Sequence, residues 1–297
     1  MRILHLSDTH LESFDGPNRH GVNARESLTR MLDDCRYLQP LDLVVVSGDV
    51  TDDGSVGAYT AAAARIGAFA RSRGAAYVFC MGNHDDRGTF GQVLGSGHYD
   101  ADGHDVGELV ASVTAERAAV SRVGDLRIIT LDTTVLAKGF GWLTDTQLDW
   151  LRDQLATRAP AGTVVVMHHP PMTTGNQVQQ ALKLQNGQAL ADALAASDVR
   201  VVLCGHFHLQ LQGWLGTIPV LVTPGVVSRV DLTAEPGTER AVRGASATVV
   251  DLVDGQPPVS YLLHARDPDV GRVAYEASAA QLTRIISELG PPVRRLD

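Results

Sequence analysis

Cysteine is scarce in this 297-residue chain: Cys35, Cys80 and Cys204 are the only three. Three thiols cannot all pair with one another, no C-x-x-C occurs, and each lies in an apolar segment. A disulfide framework and a thiolate metal site are excluded, and the thiols read as buried, reduced small hydrophobes. Positive charge is also short, with 25 Lys and Arg against 34 Asp and Glu, a net charge of −9. Sequence-independent nucleic-acid binding rests on basic surfaces that neutralise phosphates, so no nucleic-acid partner is expected. No apolar run approaches the ~20 residues that span a membrane. The first residues, MRILHLSDTH, pass straight into a strand and a polar motif without the apolar core of a signal peptide. No membrane partner is expected, and the cytoplasm is the expected location. Aromatic residues make up only 5%.

The remaining composition is that of a globular chain: 44% hydrophobic and 20% charged. Such a chain buries a sizeable core, as two domains or one large α/β domain. Short apolar runs punctuate it at 2–6, 41–46, 75–80, 126–131, 163–167 and 199–204. They are β-branched and nearly continuous, as strands covered on both faces are. Helical spacing appears at 27–38, 58–72, 143–156 and 186–196, with Thr144 as N-cap of the third and Gln147 in the capping-box position. After about 225 the pattern changes. Stretches 214–225, 247–255 and 258–264 read as strands, and 276–289 as a closing amphipathic helix. The polar, Gly-rich 95–107 reads as a surface excursion. The order implies two mixed sheets packed together with helices outside.

Five of these strands end in polar clusters. They are Ser7-Asp8-Thr9-His10, Ser47-Gly48-Asp49, Gly82-Asn83-His84-Asp85, His168-His169-Pro170-Pro171 and Gly205-His206-Phe207-His208. Each alone has an ordinary explanation, as a helix cap, a turn or a core histidine. Five at the same end of five strands point to one site, because ligands of open α/β sheets bind beyond the carboxyl ends of strands. Carboxylate, amide and imidazole donors without thiolate suit hard to borderline cations. They are too many for one tetrahedral site and suit two ions sharing a carboxylate, which clamp a phosphoryl oxygen.

In this order, Asp8-x-His10, Gly48-Asp49, Gly82-Asn83-His84-Asp85, His168-x-Pro170 and Gly205-His206-x-His208 resemble the calcineurin-like metallophosphoesterases, and MGNHDDR looks most like their bacterial class III cyclic nucleotide phosphodiesterases. The resemblance implies an α/β (α+β) fold, a four-layer α-β-β-α sandwich of two mixed sheets. It implies that Asp8, His10 and His208 hold one metal, that Asn83, His168 and His206 hold a second, and that Asp49 bridges them. His84 would face the substrate as the catalytic residue, with Asp85 behind it and His169 in a supporting place. Two ions are implied, iron or manganese, with zinc or cobalt also tolerated. Residues 1–225 would form the catalytic core and 226–297 the strands and helix that complete one sandwich, leaving a homodimer through the tail open.

The implied activity is hydrolysis of 3′,5′-cyclic nucleotides, cAMP and cGMP, to nucleoside monophosphates by a metal-held hydroxide. A broader phosphodiesterase acting on glycerophosphodiesters or other phosphate esters is the alternative. A non-catalytic metal-binding scaffold is the alternative of another class. Arg19, His20 and Arg87 lie near the motifs and read as solvated loop residues. With few aromatics near the motifs (Phe14, Phe207, Phe90, Tyr99), the site reads as open and poorly equipped to grip a base.

Overall fold

The apolar runs fold as strands because both of their faces are covered. The computed structural model describes residues 1–112 and 115–292. Its strands are β1 (Arg2–Leu6), β2 (Leu43–Ser47), β3 (Ala76–Cys80), β4 (His98–Tyr99), β5 (Glu108–Leu109), β6 (Ala119–Val123), β7 (Leu126–Leu131), β8 (Thr163–Met167), β9 (Val199–Cys204), β10 (Leu211–Leu215), β11 (Ile218–Val222), β12 (Arg229–Asp231), β13 (Glu239–Val242), β14 (Ser246–Asp251), β15 (Val259–His264) and β16 (Val273–Ala277). Its helices are α1 (Ala24–Asp34), α2 (Val56–Arg71), α3 (Arg87–Leu94), α4 (Asp145–Leu155), α5 (Gln177–Leu182), α6 (Gly187–Leu194) and α7 (Ala279–Leu289).

One sheet runs β15-β14-β1-β2-β3-β4 and a second runs β10-β11-β9-β8-β7-β6-β5. Successive side chains of a strand point to opposite faces. Leu4, Leu6, Val44, Val46 and Phe79 therefore pack on one side with Leu28 and Met31 of α1, Ile66 of α2 and Phe90 of α3. Ile3, Leu43, Val45, Val78 and Cys80 turn the other way and meet Ile128, Val164, Val166, Val201 and Leu203 of the second sheet. The far face of that sheet, Ile129, Leu131, Val165 and Val202, packs on Leu148 and Leu151 of α4 and Leu190 of α6. The result is the four-layer α-β-β-α sandwich expected. All three cysteines are free and buried in it.

β1, β2 and β3 are parallel, as are β7, β8, β9 and β11. Parallel strands deliver their carboxyl ends to one edge. The tail joins the first sheet, with β14 antiparallel to β1 and β15 to β14. A small third sheet, β12-β13-β16, follows from the rest of the tail. The expected run 214–225 is a hairpin, β10 to β11, turning at Gly216 with φ of 63°. α7 carries no buried residue. It lies against α5, with Gly139 N donating to Leu289 O.

Two local expectations need correction. Segment 95–107 is not wholly a surface excursion: His98 is fully buried at the sheet edge and joins Ser121 and Thr130 of the second sheet. Thr144 does cap α4 by accepting from Gln147 N. The side chain of Gln147, however, turns inward to hold the backbone of Asp132 instead of closing a capping box. Among the described residues no helix is long and apolar enough to cross a membrane.

Candidate metal centre

The five polar clusters converge. Beyond the ends of β1, β2, β3, β8 and β9, Asp49 Oδ2 lies 3.2 Å from His168 Nε2 and 3.5 Å from His10 Nε2. Asp8 Oδ1 lies 3.4 Å from His208 Nε2. His206 Nδ1 and His168 Nε2 face each other at 3.2 Å, a separation that needs a shared proton or cation between the lone pairs. Asp8, His10 and His208 bring three donor atoms within 4.8 Å of one another, as do Asp8, Asp49 and His168.

Close approach is built into the backbone. Asp8, His10, Asp49, His206 and His208 all have positive φ, between 44° and 73°. Non-glycine residues rarely adopt this left-handed region, and such strain clusters at functional sites. A Cβ on Gly48 would sit 2.4 Å from the His168 ring, and one on Gly82 would sit 2.3 Å from Asp49 N. Only glycine lets the turns bring these ligands together.

The imidazoles are held in one tautomer. His168 Nδ1 donates to Ser47 O at 2.9 Å, and His208 Nδ1 to Ser228 O at 3.1 Å. His10 Nδ1 lies 2.9 Å from Asp52 Oδ1. With Nδ1 committed, the Nε2 lone pair of each ring turns inward, as a metal ligand requires.

The charge balance is anionic. Burial raises the Asp8 and Asp49 carboxyls, but His208 beside Asp8 and His168 beside Asp49 outweigh it and hold both below the usual carboxylate range. Burial lowers His168, yet Asp49 outweighs it and pushes that ring up to about 9. His84 behaves alike: burial is outweighed by Asp49 and Asp52, and its pKa rises to about 9. Imidazoles pushed towards their charged form mark a surplus of negative charge around them.

The sequence profile of the calcineurin-like phosphoesterases matches residues 1–210. The chain belongs to this family. A probable cyclic nucleotide phosphodiesterase of Rhodococcus erythropolis is 36% identical over 245 residues, covering 82% of this chain and 76% of that one. A cAMP/cGMP dual specificity phosphodiesterase of Mycobacterium tuberculosis is 33% identical over 292 residues, covering 97% of this chain and 86% of that one. In fold, the chain is similar to a dimetal phosphatase from Danio rerio, with a TM-score of 0.56 at 14% identity, covering 88% of this chain and 98% of that chain.

This phosphoesterase family implies a dinuclear metal centre, and the residues present fit one. Asn83 Oδ1 and His10 Nε2 are buried and no hydrogen bond reaches them. An orphaned amide oxygen and an orphaned imidazole nitrogen beside two carboxylates are costly unless a cation satisfies them.

Two expectations about neighbouring residues change, those for Asp85 and Arg87. Asp85 is not the partner of His84. The turn after Asp49 aims the N–H groups of Val50 and Thr51 at it, and Gly82 N and the Tyr59 hydroxyl donate to it as well. The partner is Asp52, whose Oδ1 lies 3.1 Å from His84 Nδ1. His169 Nδ1 lies 2.7 Å from Thr133 Oγ1, its buried Nε2 has no hydrogen bond, and its ring groups with His168 and His206. Arg87 is no solvated loop residue, because it pairs with buried Asp132 at 2.7 Å and donates to Thr134 O.

Phe90 and Phe207 are buried and Phe14 is half exposed. The aromatic ring on the cleft is Tyr275, which lies in the tail and far from any motif, so no sequence signal pointed to it.

Proposed function

We propose that this phosphoesterase hydrolyses the 3′,5′-cyclic phosphodiester of cAMP and cGMP to nucleoside monophosphates. The observation that carries the reading is Asp49, one carboxylate oxygen set between His168 and His10 at 3.2 and 3.5 Å, with its other oxygen accepting from His84 N at 2.9 Å. The names and coverage of the Rhodococcus and Mycobacterium relatives support the substrate class.

Asp8, His10 and His208 would hold one cation, Asn83, His168 and His206 the second, and Asp49 both. Bound there, two cations supply Lewis-acid charge for the phosphoryl oxygens and a strong nucleophile at neutral pH. Donors without thiolate support iron or manganese. The chain's own residues do the rest. Ser47, Ser228 and Asp52 fix the imidazoles. Asp52 also orients His84, which keeps a proton near neutral pH. As a water oxygen bonds to phosphorus and its proton passes to solvent, the ester P–O bond breaks and His84 gives its own proton to the departing oxygen. We read the chain as one unit located in the cytoplasm, with 1–225 carrying the site and 226–297 completing the sandwich. Pairing of two chains through the tail is the arrangement that sedimentation would detect.

The test is a substrate panel, with the protein as purified and with added manganese. Cyclic nucleotides should be cleaved in a metal-dependent way. Cleavage of glycerophosphodiesters without cyclic nucleotides would replace this reading with the broader phosphodiesterase. Metal binding without hydrolysis of any ester would make the centre a scaffold.

A further inference from the structure

The metal centre opens into a cavity of about 490 Å³. That is within the ~300–1,000 Å³ of small-molecule sites. Two kinds of group line it. His10, His84 and His208 stand on its wall. The same wall carries two rings, His20 and Tyr275, with centroids 4.6 Å apart and planes inclined by 37°.

These rings come from distant parts of the chain. His20 lies on the loop after β1, where its backbone N donates to Asn18 Oδ1 at 2.9 Å. Tyr275 sits on β16, paired with Ala241 of β13 in the small third sheet. A ring fixed on a paired strand is better placed than one on a free loop. Arg19 Nε donates to His20 Nε2 at 3.0 Å, so that nitrogen is an acceptor and the imidazole is neutral. Burial and the adjacent guanidinium lower the basicity of His20, with Asp52 opposing them. The cleft thus joins the metal-site histidines to two neutral aromatic rings, with the charged Arg19, Glu12 and Glu276 also on its wall. A ligand suited to both carries a phosphate at one end and a flat, neutral ring at the other.

We infer that Tyr275 and His20 form a base platform, on which the purine of a nucleoside phosphate stacks while its phosphate lies at the metal centre. This rests on the cyclic-nucleotide reading of the site and names the residues that make nucleosides better ligands than other phosphate esters. Stacking is tolerant of base identity, since every base has a π-face. The platform therefore favours nucleotides as a class and leaves cAMP and cGMP within about tenfold of each other, each tenfold being ~1.4 kcal/mol.

The experiment is a calorimetric titration of the manganese-loaded protein with AMP and with ribose 5-phosphate, which differ by the base. In the unaltered protein AMP should bind about tenfold more tightly. Tyr275→Leu should bring the ratio close to one while ribose 5-phosphate affinity and manganese content stay unchanged. Tyr275→Phe should keep the ratio, and His20→Ala, on a separate element, should lower it. A ratio near one in the unaltered protein, or one that survives Tyr275→Leu, overturns the platform. Binding is read without turnover, so the two readings fail separately. A protein that favours AMP but does not cleave cAMP keeps the platform and loses the cyclic-nucleotide activity. One that cleaves cAMP with no preference for AMP does the reverse.

Discussion

His84 turns its Nδ1 to Asp52 Oδ1 at 3.1 Å, and the same oxygen lies 2.9 Å from His10 Nδ1. One carboxylate thus orients both a proposed metal ligand and the proposed acid. Asp52 itself is held well below the ordinary carboxylate range by its hydrogen bonds to the two rings. Asp52→Asn keeps the shape and removes the charge. His84 then loses a group that favours its protonated form, and its pKa falls. An acid must be protonated to act, so activity declines as pH rises through that pKa. The alkaline limb of the kcat profile should move to lower pH. A profile that does not move would reduce Asp52 to a structural role.

His84→Ala should keep both metals and lose ~10²-fold or more in turnover on a diester with a poor leaving group. The loss should shrink for a nitrophenyl ester, whose departing phenolate needs no proton. Paired kinetics on the two substrates make the check. Equal losses would leave His84 an electrostatic role and remove it as the acid.

Asp49 stands between the two donor sets, so its removal takes an anion from two cations at once. Metal content by elemental analysis should fall further in Asp49→Ala than in His10→Ala. Retention of two metals and of activity in Asp49→Ala would sink the bridging assignment.

The convergence of the five clusters was legible because parallel strands bring their carboxyl ends together and Asp, Asn and His side chains follow each one. What lay beyond was illegible for particular reasons. Asp52 precedes Asp53 and Gly54 and looks like a turn. It works only because the left-handed Asp49 swings the chain back over His10 and His84. Positive φ at Asp8, His10 and His208 has no mark in residues that usually avoid it. Ser228 acts on His208 largely through its carbonyl, which no residue type advertises. Asp85 follows His84 directly and seemed its natural partner, yet sequence neighbours seldom face each other across a turn. Gln147 fits a capping box but meets a stronger demand, the buried backbone of Asp132.

The buried histidine at the sheet edge gives a stability prediction away from the metals. His98 is fully buried, with Nδ1 2.7 Å from Ser121 Oγ and Nε2 2.9 Å from Thr130 Oγ1. Burial lowers its pKa to about 4, with Asp105 opposing weakly. The unfolded chain takes up this proton near pH ~6.5, whereas the folded chain takes it up only near pH 4. Between these values the unfolded state binds more protons, so stability falls as pH falls. The cost approaches ~1.4 kcal/mol for each pH unit separating the two values. His98→Gln keeps a donor and an acceptor but cannot titrate. Near neutral pH the variant should be less stable by about 1–2 kcal/mol, through imperfect hydrogen bonds in place of the ring's two. As pH drops from ~6.5 towards 4, its deficit should shrink and then reverse. Denaturant midpoints of both proteins across that range make the measurement. A difference that stays constant with pH would mean that His98 is protonated equally in both states, and that its burial contributes nothing to acid lability.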